Sequence, residues 1–311
     1  MSSNDATSGA PPAAGAAQLI ESGGQARAFA RLVRPAQWVK NAFVAAPLFF
    51  TPSAVTLEAC LLTLAAIACF CAVSSSIYVL NDYLDRDGDR AHPTKCHRPL
   101  AAGTVSVKVA LTGGAVLAIG GLSGGLLLSS SFALIIVLYL LLNVAYSLGL
   151  KTLSLVDLFI ITLGFILRVE GGAAVIGVSA SAWITIMTGL LALFLALAKR
   201  RDDLVQNLDR DHRRSLDGYT VPFLDTAMAI VTAALLVAYL IYTTDVTVMT
   251  RLGTDKLFAT APFVVYGILR YLQVTMVEQR SGSPTRIALT DPPMMLAIAG
   301  WAATFMILLY I

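Results

Sequence analysis

The chain has 311 residues, 57% of them hydrophobic and 13% charged, with a formal net charge of +3 and a mean hydropathy of +0.75. That balance excludes a soluble globular domain, a disordered chain and a nucleic-acid-binding protein, because apolar runs repeatedly reach the ~18 residues that cross a bilayer. Runs such as "FALIIVLYLLLNVAYSLGL" are continuously apolar rather than alternating, so the spans read as helices and not as barrel strands.

Residues 1–26 are small, Pro/Gly-rich and aperiodic, which predicts a disordered tail. They lack the basic start and apolar core of a cleaved signal peptide. The remainder, 27–311, reads as one transmembrane catalytic domain. It opens on "ARAFARLVRPAQWVKN", whose arginines and apolar residues fall on different sides, predicting an interfacial helix near 27–40. Nine spans follow, near 41–53, 57–81, 106–127, 130–148, 154–176, 180–198, 222–244, 256–276 and 291–311. Pro47 and Pro52 are expected to bend the short first one.

Lys and Arg concentrate in the N-terminal segment and in the loops after spans two, four, six and eight. The opposite loops carry only Arg251 and Lys256. By the positive-inside rule the N-terminus and charged loops face the cytoplasm of a cell inner membrane and the C-terminus faces out. Span three contains "GGAVLAIGGLSGG", where Gly120/Gly124 and Gly121/Gly125 permit close helix approach, within the bundle or in a homo-oligomer. Cys60, Cys69, Cys71 and Cys96 lack metal spacing and are expected as free thiols.

The chemistry gathers at the end of span two, in "NDYLDRDGDRAHPTKCHRP". Asn81, Asp85 and Asp89 recur at four-residue spacing and Asp82 lies three before Asp85, so a helix projects all four from one face. Crowded carboxylates repel unless a cation sits among them. Such hard oxygen ligands suit Mg²⁺ sharing its shell with substrate phosphates. A calcium EF-hand is excluded by the misplaced glycine and by Cys96 where a bidentate glutamate belongs. Lys95 and Arg98 follow at once, as cations for a metal-bound diphosphate.

"NDYLDRDGD" resembles the NDxxDxxxD motif of the UbiA superfamily of intramembrane prenyltransferases, and "RPAQWVKN" resembles its first-helix signature. Further stretches are similar to the superfamily's decaprenyl-phosphate phosphoribosyltransferase branch. These are "DRAHPTKCHRPLAAG", "YSLGLK", "FLALAKRRDDL", "RRSLDGYT", "ILRY" and "IALTD". The resemblance implies a nine-helix all-α bundle with a cavity open to the cytoplasm and to lipid. It implies Mg²⁺ held by Asn81, Asp82, Asp85 and Asp89, the three aspartates being catalytic. The implied donor is phosphoribosyl diphosphate, the acceptor a polyprenyl phosphate, and the product an arabinose-donor precursor. Lys40 and Asn41 of the first signature, Tyr146 and Lys151 of "YSLGLK", and Arg168 of an arginine-then-glycine segment are carried to the substrate site with Lys95 and Arg98.

The second polar loop departs from the prenyl-transferring pattern. Where a second aspartate motif would begin stands Lys199-Arg200-Arg201-Asp202-Asp203. Lys199 and Arg200 are expected to grip a phosphate, Arg200 with its planar fork, and Asp203 stands where the branch has glutamate. Asp157 and Arg168 lie three turns apart inside span five and are expected to line one cavity. Glu170 has no counterpart in the pattern. His92 and His97 read as loop hydrogen-bonders rather than catalysts. Two alternatives stand beside phosphoribosyl transfer: prenyl transfer to an aromatic acceptor, and secondary transport, whose polar residues belong at mid-membrane rather than at one face.

Overall fold

The computed structural model describes residues 24–206, 214–280 and 284–310. Residues 1–23 of the expected tail lie outside the described residues, as does Arg213 of "RRSLDGYT". Among the described residues there is no strand, and eight helices are long and apolar enough to cross a membrane. We label them α1 (Leu57–Leu84), α2 (Val107–Leu128), α3 (Ser130–Leu148), α4 (Val156–Val175), α5 (Ala182–Val205), α6 (Val221–Thr244), α7 (Leu257–Met276, opening on a 3₁₀ turn) and α8 (Pro292–Tyr310). The protein is an integral membrane protein, with large apolar side chains such as Leu127 (88% exposed) turned outward to lipid.

Helix starts follow from local chemistry. Thr56, Ser106, Ser129, Ser181 and Thr220 each accept a hydrogen bond from the backbone N–H three residues on. Each thereby satisfies one of the donors that a helix leaves open at its N-terminus. Most glycines of α2 pack within the bundle. A Cβ on Gly121 would lie 2.9 Å from the Cys69 carbonyl oxygen, and one on Gly125 would lie 3.2 Å from Ile136. They let α2 nest between α1 and α3, while Gly120 faces open space. All four cysteines are free.

Two expectations need correction. The interfacial helix stops at residue 32, with Ala28 and Leu32 buried against Val79, Leu100 and Val105. Arg34 adopts a left-handed backbone (φ 54°, ψ 61°) and Pro35 cannot continue a helix. The expected first span, 41–53, is likewise not a continuous α-helix. Pro35–Ala45 forms a 3₁₀ helix, Ala46–Phe49 one α-helical turn and Pro52–Ala54 another 3₁₀ turn. Prolines at 35, 47 and 52 deny the donors that a regular helix needs.

This irregular segment still runs the length of the bundle. Arg34 reaches Asp82 at one end, and Phe50 packs on Trp301 and Phe305 at the other. Irregular backbone at membrane depth is tolerated where protein covers it, and α4 provides the cover. Gly172 lies against the Val44 carbonyl and Gly171 against the Phe70 ring, neither with room for a Cβ, which explains the glycine pair after Glu170.

Candidate functional site at the charged end of the bundle

The acidic motif is delivered by the last turn of α1 and the short helix Arg86–Ala91 that follows. Helical geometry breaks at Asp85, where ψ opens to −2°, so the four side chains are not equivalent. Asp82 and Asp89, seven residues apart, are buried at 2% and 4% exposure. Asp85 sits to one side, and Asn81 donates to its Oδ2 at 3.0 Å.

Each carboxylate meets a cation. Arg98 Nη1 bridges Asp89 Oδ2 at 2.7 Å and Asp82 Oδ1 at 3.2 Å. Arg34 Nη2 meets Asp82 Oδ1 at 2.5 Å and stacks 5.1 Å from the Tyr78 ring centroid. Lys151 Nζ, carried by the turn after α3, meets Asp85 Oδ1 at 2.5 Å and Asn81 Oδ1 at 3.4 Å. Arg34 was not among the expected site residues. It opens the "RPAQWVKN" stretch, so the first-helix resemblance could have carried it to the site along with Lys40 and Asn41. His92 behaves as expected: its Nδ1 accepts from the Thr94 and Lys95 backbone N–H groups.

Deeper lies a second cationic group. Arg168 is buried and donates to Asn41 Oδ1 at 2.8 Å, the Gly164 carbonyl at 2.7 Å and the Tyr139 hydroxyl at 2.7 Å. All three partners are neutral. Asn41 turns its amide toward Cys71 Sγ at 3.1 Å. Lys40 is half-buried; burial, then the charges of Arg168, Lys199 and Arg34, push its ammonium down to about 8. Neither Lys40 nor Arg168 has a carboxylate partner among the described residues. Desolvated positive charge without a counter-ion is costly, and an anionic ligand is the natural compensation.

The turn at 199–203 differs from expectation. Arg200 is not offered to solvent as a phosphate fork: it is 1% exposed, with Nε on Asp157 Oδ2 at 2.7 Å and Nη1 3.4 Å from Asp203 Oδ2. Lys199 is the outward cation, with Nζ 3.5 Å from Asp203 Oδ1. Arg201 fastens helices together through Asp225 at 2.5 Å and the Thr275 carbonyl at 3.0 Å. Asp157 and Arg168 do not share a network, and Glu170 accepts from the Thr185 hydroxyl at 2.9 Å. The "ILRY" and "IALTD" stretches meet in a fork, Arg270 to both oxygens of Asp291 at 3.1 and 2.7 Å, clasping the α7–α8 connection. A cavity of about 580 Å³ lies elsewhere, against Met249, Lys256 and Leu308, and shares no residue with this site.

Among the described residues no three His, Cys, Asp or Glu groups converge as a ready-made metal cage. Asp82 and Asp89 converge as a pair on one guanidinium group. Two carboxylates with basic residues beside them fit Mg²⁺ shared with a ligand's phosphates, not one enclosed by protein alone.

The UbiA prenyltransferase family model matches residues 34–297. The chain belongs to that family. It is therefore a transferase enzyme. It is 31% identical over 309 residues to the decaprenyl-phosphate phosphoribosyltransferase of Mycolicibacterium smegmatis, covering 95% of each chain. Against the Corynebacterium glutamicum enzyme of the same name it is 30% identical over 290 residues, covering 90% of this chain and 86% of that one. A UbiA homologue from Archaeoglobus fulgidus, solved with GPP and Mg²⁺, superposes with a TM-score of 0.66 at 17% identity. That match covers 91% of this chain and 100% of the other, a likeness of fold. The UbiA family assignment and the all-helical expectation both stand.

Proposed function

We propose that this UbiA-family protein transfers a 5-phosphoribosyl group from phosphoribosyl diphosphate to a polyprenyl phosphate of decaprenyl type, with Mg²⁺ as cofactor. The products are polyprenyl-phosphoryl 5-phosphoribose and diphosphate. The observation that carries the reading is the second cationic group. Lys40 and Arg168 lie near the acidic motif without a carboxylate of their own, in a chain about 30% identical to enzymes named for this reaction. A prenyl diphosphate presents one phosphate cluster. Phosphoribosyl diphosphate and a polyprenyl phosphate together present three separate phosphate-bearing positions, and the site offers cations to match.

Asp82 and Asp89, with Asp85 and Asn81 beside them, would hold Mg²⁺ on the donor's diphosphate. When bound, the ion supplies neutralisation of the leaving group's charge. Arg98, Arg34 and Lys151, which lie against these carboxylates, would pair with the diphosphate oxygens. Lys40, Arg168 and Lys199 would take the 5-phosphate or the acceptor phosphate, with Tyr146 and Lys95 at the rim. An oxygen of the ionised acceptor phosphate attacks the anomeric carbon from the face opposite the diphosphate. The C1–O bond breaks and its electron pair leaves with diphosphate. The sugar's transient positive charge is favoured by the neighbouring carboxylates, and no strong general base is required. The polyprenyl tail lies between lipid-facing helices, and the charged end faces the cytoplasm.

The test is incubation of purified protein with phosphoribosyl diphosphate, Mg²⁺ and a polyprenyl phosphate, with the lipid products read by mass spectrometry. A lipid heavier by one phosphoribosyl group supports the reading. An unchanged lipid pool from folded protein refutes it.

A further inference from the structure

Asp157 stands in the first turn of α4 and is completely buried. Its Oδ2 accepts from Arg200 Nε at 2.7 Å and from the Ser215 hydroxyl at 3.3 Å, and its Oδ1 accepts from the Tyr219 hydroxyl at 2.8 Å. The holders are themselves held. The Tyr219 hydroxyl accepts from the Leu155 backbone N–H at 2.5 Å, and Ser154 donates to the Ser215 carbonyl at 2.8 Å. Gly218 lies against Ser154 with no room for a Cβ. Leu155 pays for this with a positive φ of 66°, a conformation that persists in a non-glycine residue only where surrounding structure over-determines it. Burial pushes the Tyr219 phenol far above its ordinary value, so it remains a hydrogen-bond donor.

The consequence falls on Arg200. Its guanidinium is held through Nε by Asp157 and through Nη1 by Asp203, while Nη2 between them is buried without a hydrogen-bond partner. Tyr146, on α3, lies within electrostatic reach. Buried polar groups are nearly always hydrogen-bonded, and a guanidinium serving only as a fold clamp has no reason to leave one nitrogen unpaired. An N–H edge of a buried cation lacks only an acceptor oxygen, and an anionic oxygen suits it best.

We propose that Asp157 is a positioning residue: braced by Ser215 and Tyr219, it fixes Arg200 so that Nη2 is kept for a phosphate oxygen of the substrate. This rests on the phosphate-binding reading above and adds the device that aims one of its cations. Arg200 thus returns to the site as an inward, pre-oriented donor.

The experiment uses full-length protein in detergent, comparing wild type, Tyr219→Phe and the neutral pair Asp157→Asn with Arg200→Gln. The neutral pair avoids stranding a buried charge. Melting temperature is measured with and without Mg²⁺ plus inorganic diphosphate, and separately inorganic phosphate; transfer kinetics follow on the same samples. The wild type should gain melting temperature from at least one anion, and the neutral pair should fold but lose most of that gain. Tyr219→Phe should raise KM for the phosphate-bearing substrate about tenfold, as expected for one hydrogen bond to a carboxylate, with kcat nearly unchanged.

If the variants melt earlier yet keep the anion-induced gain and the wild-type KM, Asp157 is a fold clamp and the proposal fails. It fails equally if neither anion stabilises the wild type. Should the neutral pair not fold, the KM of Tyr219→Phe decides. A wild type that binds the anions but transfers no phosphoribosyl group refutes the reaction and leaves the positioning role standing.

Discussion

Lys40 offers the sharpest test of the phosphate reading. Its ammonium is half-buried among Arg168, Lys199 and Arg34, which together with burial push it down from 10.5 to about 8. Only the charged form can hold a phosphate. In the free enzyme the charged fraction therefore falls about tenfold for each pH unit above 8, and kcat/KM for the phosphate-bearing substrate should fall in parallel. A bound phosphate favours the ammonium, so the kcat profile at saturation should break at higher pH. Arginine stays charged throughout this range, so Lys40→Arg should abolish the break whatever it costs in fit. Lys40→Ala should lose about 1.5–3 kcal/mol of binding at pH 7, roughly ten- to more than hundredfold in kcat/KM, and show no break either. The same shift predicts a stability trend of opposite sign. Between about 8 and 10.5 the unfolded chain binds the proton that the folded chain has lost, so the ligand-free protein should become more stable as pH rises through that window. Steady-state kinetics from pH 6.5 to 9.5, with melting curves on the same samples, measure both. A wild-type kcat/KM that stays flat from pH 7 to 9.5, or a Lys40→Arg profile that keeps the wild-type break, would refute the reasoning.

Asp82→Asn should abolish transfer at ordinary Mg²⁺ concentrations. It should also lower the melting temperature, because Asp82 accepts from both Arg34 and Arg98; losing that charge costs about 1–3 kcal/mol. Relief of repulsion among the aspartates alone would instead leave stability level or higher. Gly172→Ala should destabilise the protein and disorder the leading segment, since the added methyl meets the Val44 carbonyl; a melting curve matching the wild type would show that the segment yields. A cysteine introduced at Gln206 should react only with membrane-permeant reagents in intact cells, and one at Thr254 with impermeant ones; the reverse pattern would contradict the topology.

The sequence exposes what depends on one residue's neighbours along the chain. The eight long helices are legible because each is an apolar run of bilayer length, and several begin at a Ser or Thr cap. The acidic motif is legible because helical spacing fixes its face. The leading segment reads as a short span bent at Pro47 and Pro52 because its apolar content resembles a helix. Its 3₁₀ form depends on three prolines and on the Gly172 notch, 128 residues beyond Val44, which no local pattern announces. Long-range partners were equally hidden. Arg34 meets Asp82 across 48 residues, and Arg200 meets Asp157 across 43. The sequence "KRRDD" predicts only a cation that grips a phosphate. Whether an arginine there faces a ligand, an aspartate or both is decided by how α4 and α5 pack.

The central claim is donor identity, and a direct competition tests it. Purified protein with Mg²⁺ is given isotopically labelled phosphoribosyl diphosphate and a prenyl diphosphate together, with a polyprenyl phosphate and an aromatic acceptor both present, and label transfer to each acceptor is counted. The account predicts label on the polyprenyl phosphate from the phosphoribosyl donor alone, abolished by Asp82→Asn and weakened by Lys40→Ala. Prenylated aromatic product, with no phosphoribosyl lipid, would contradict it.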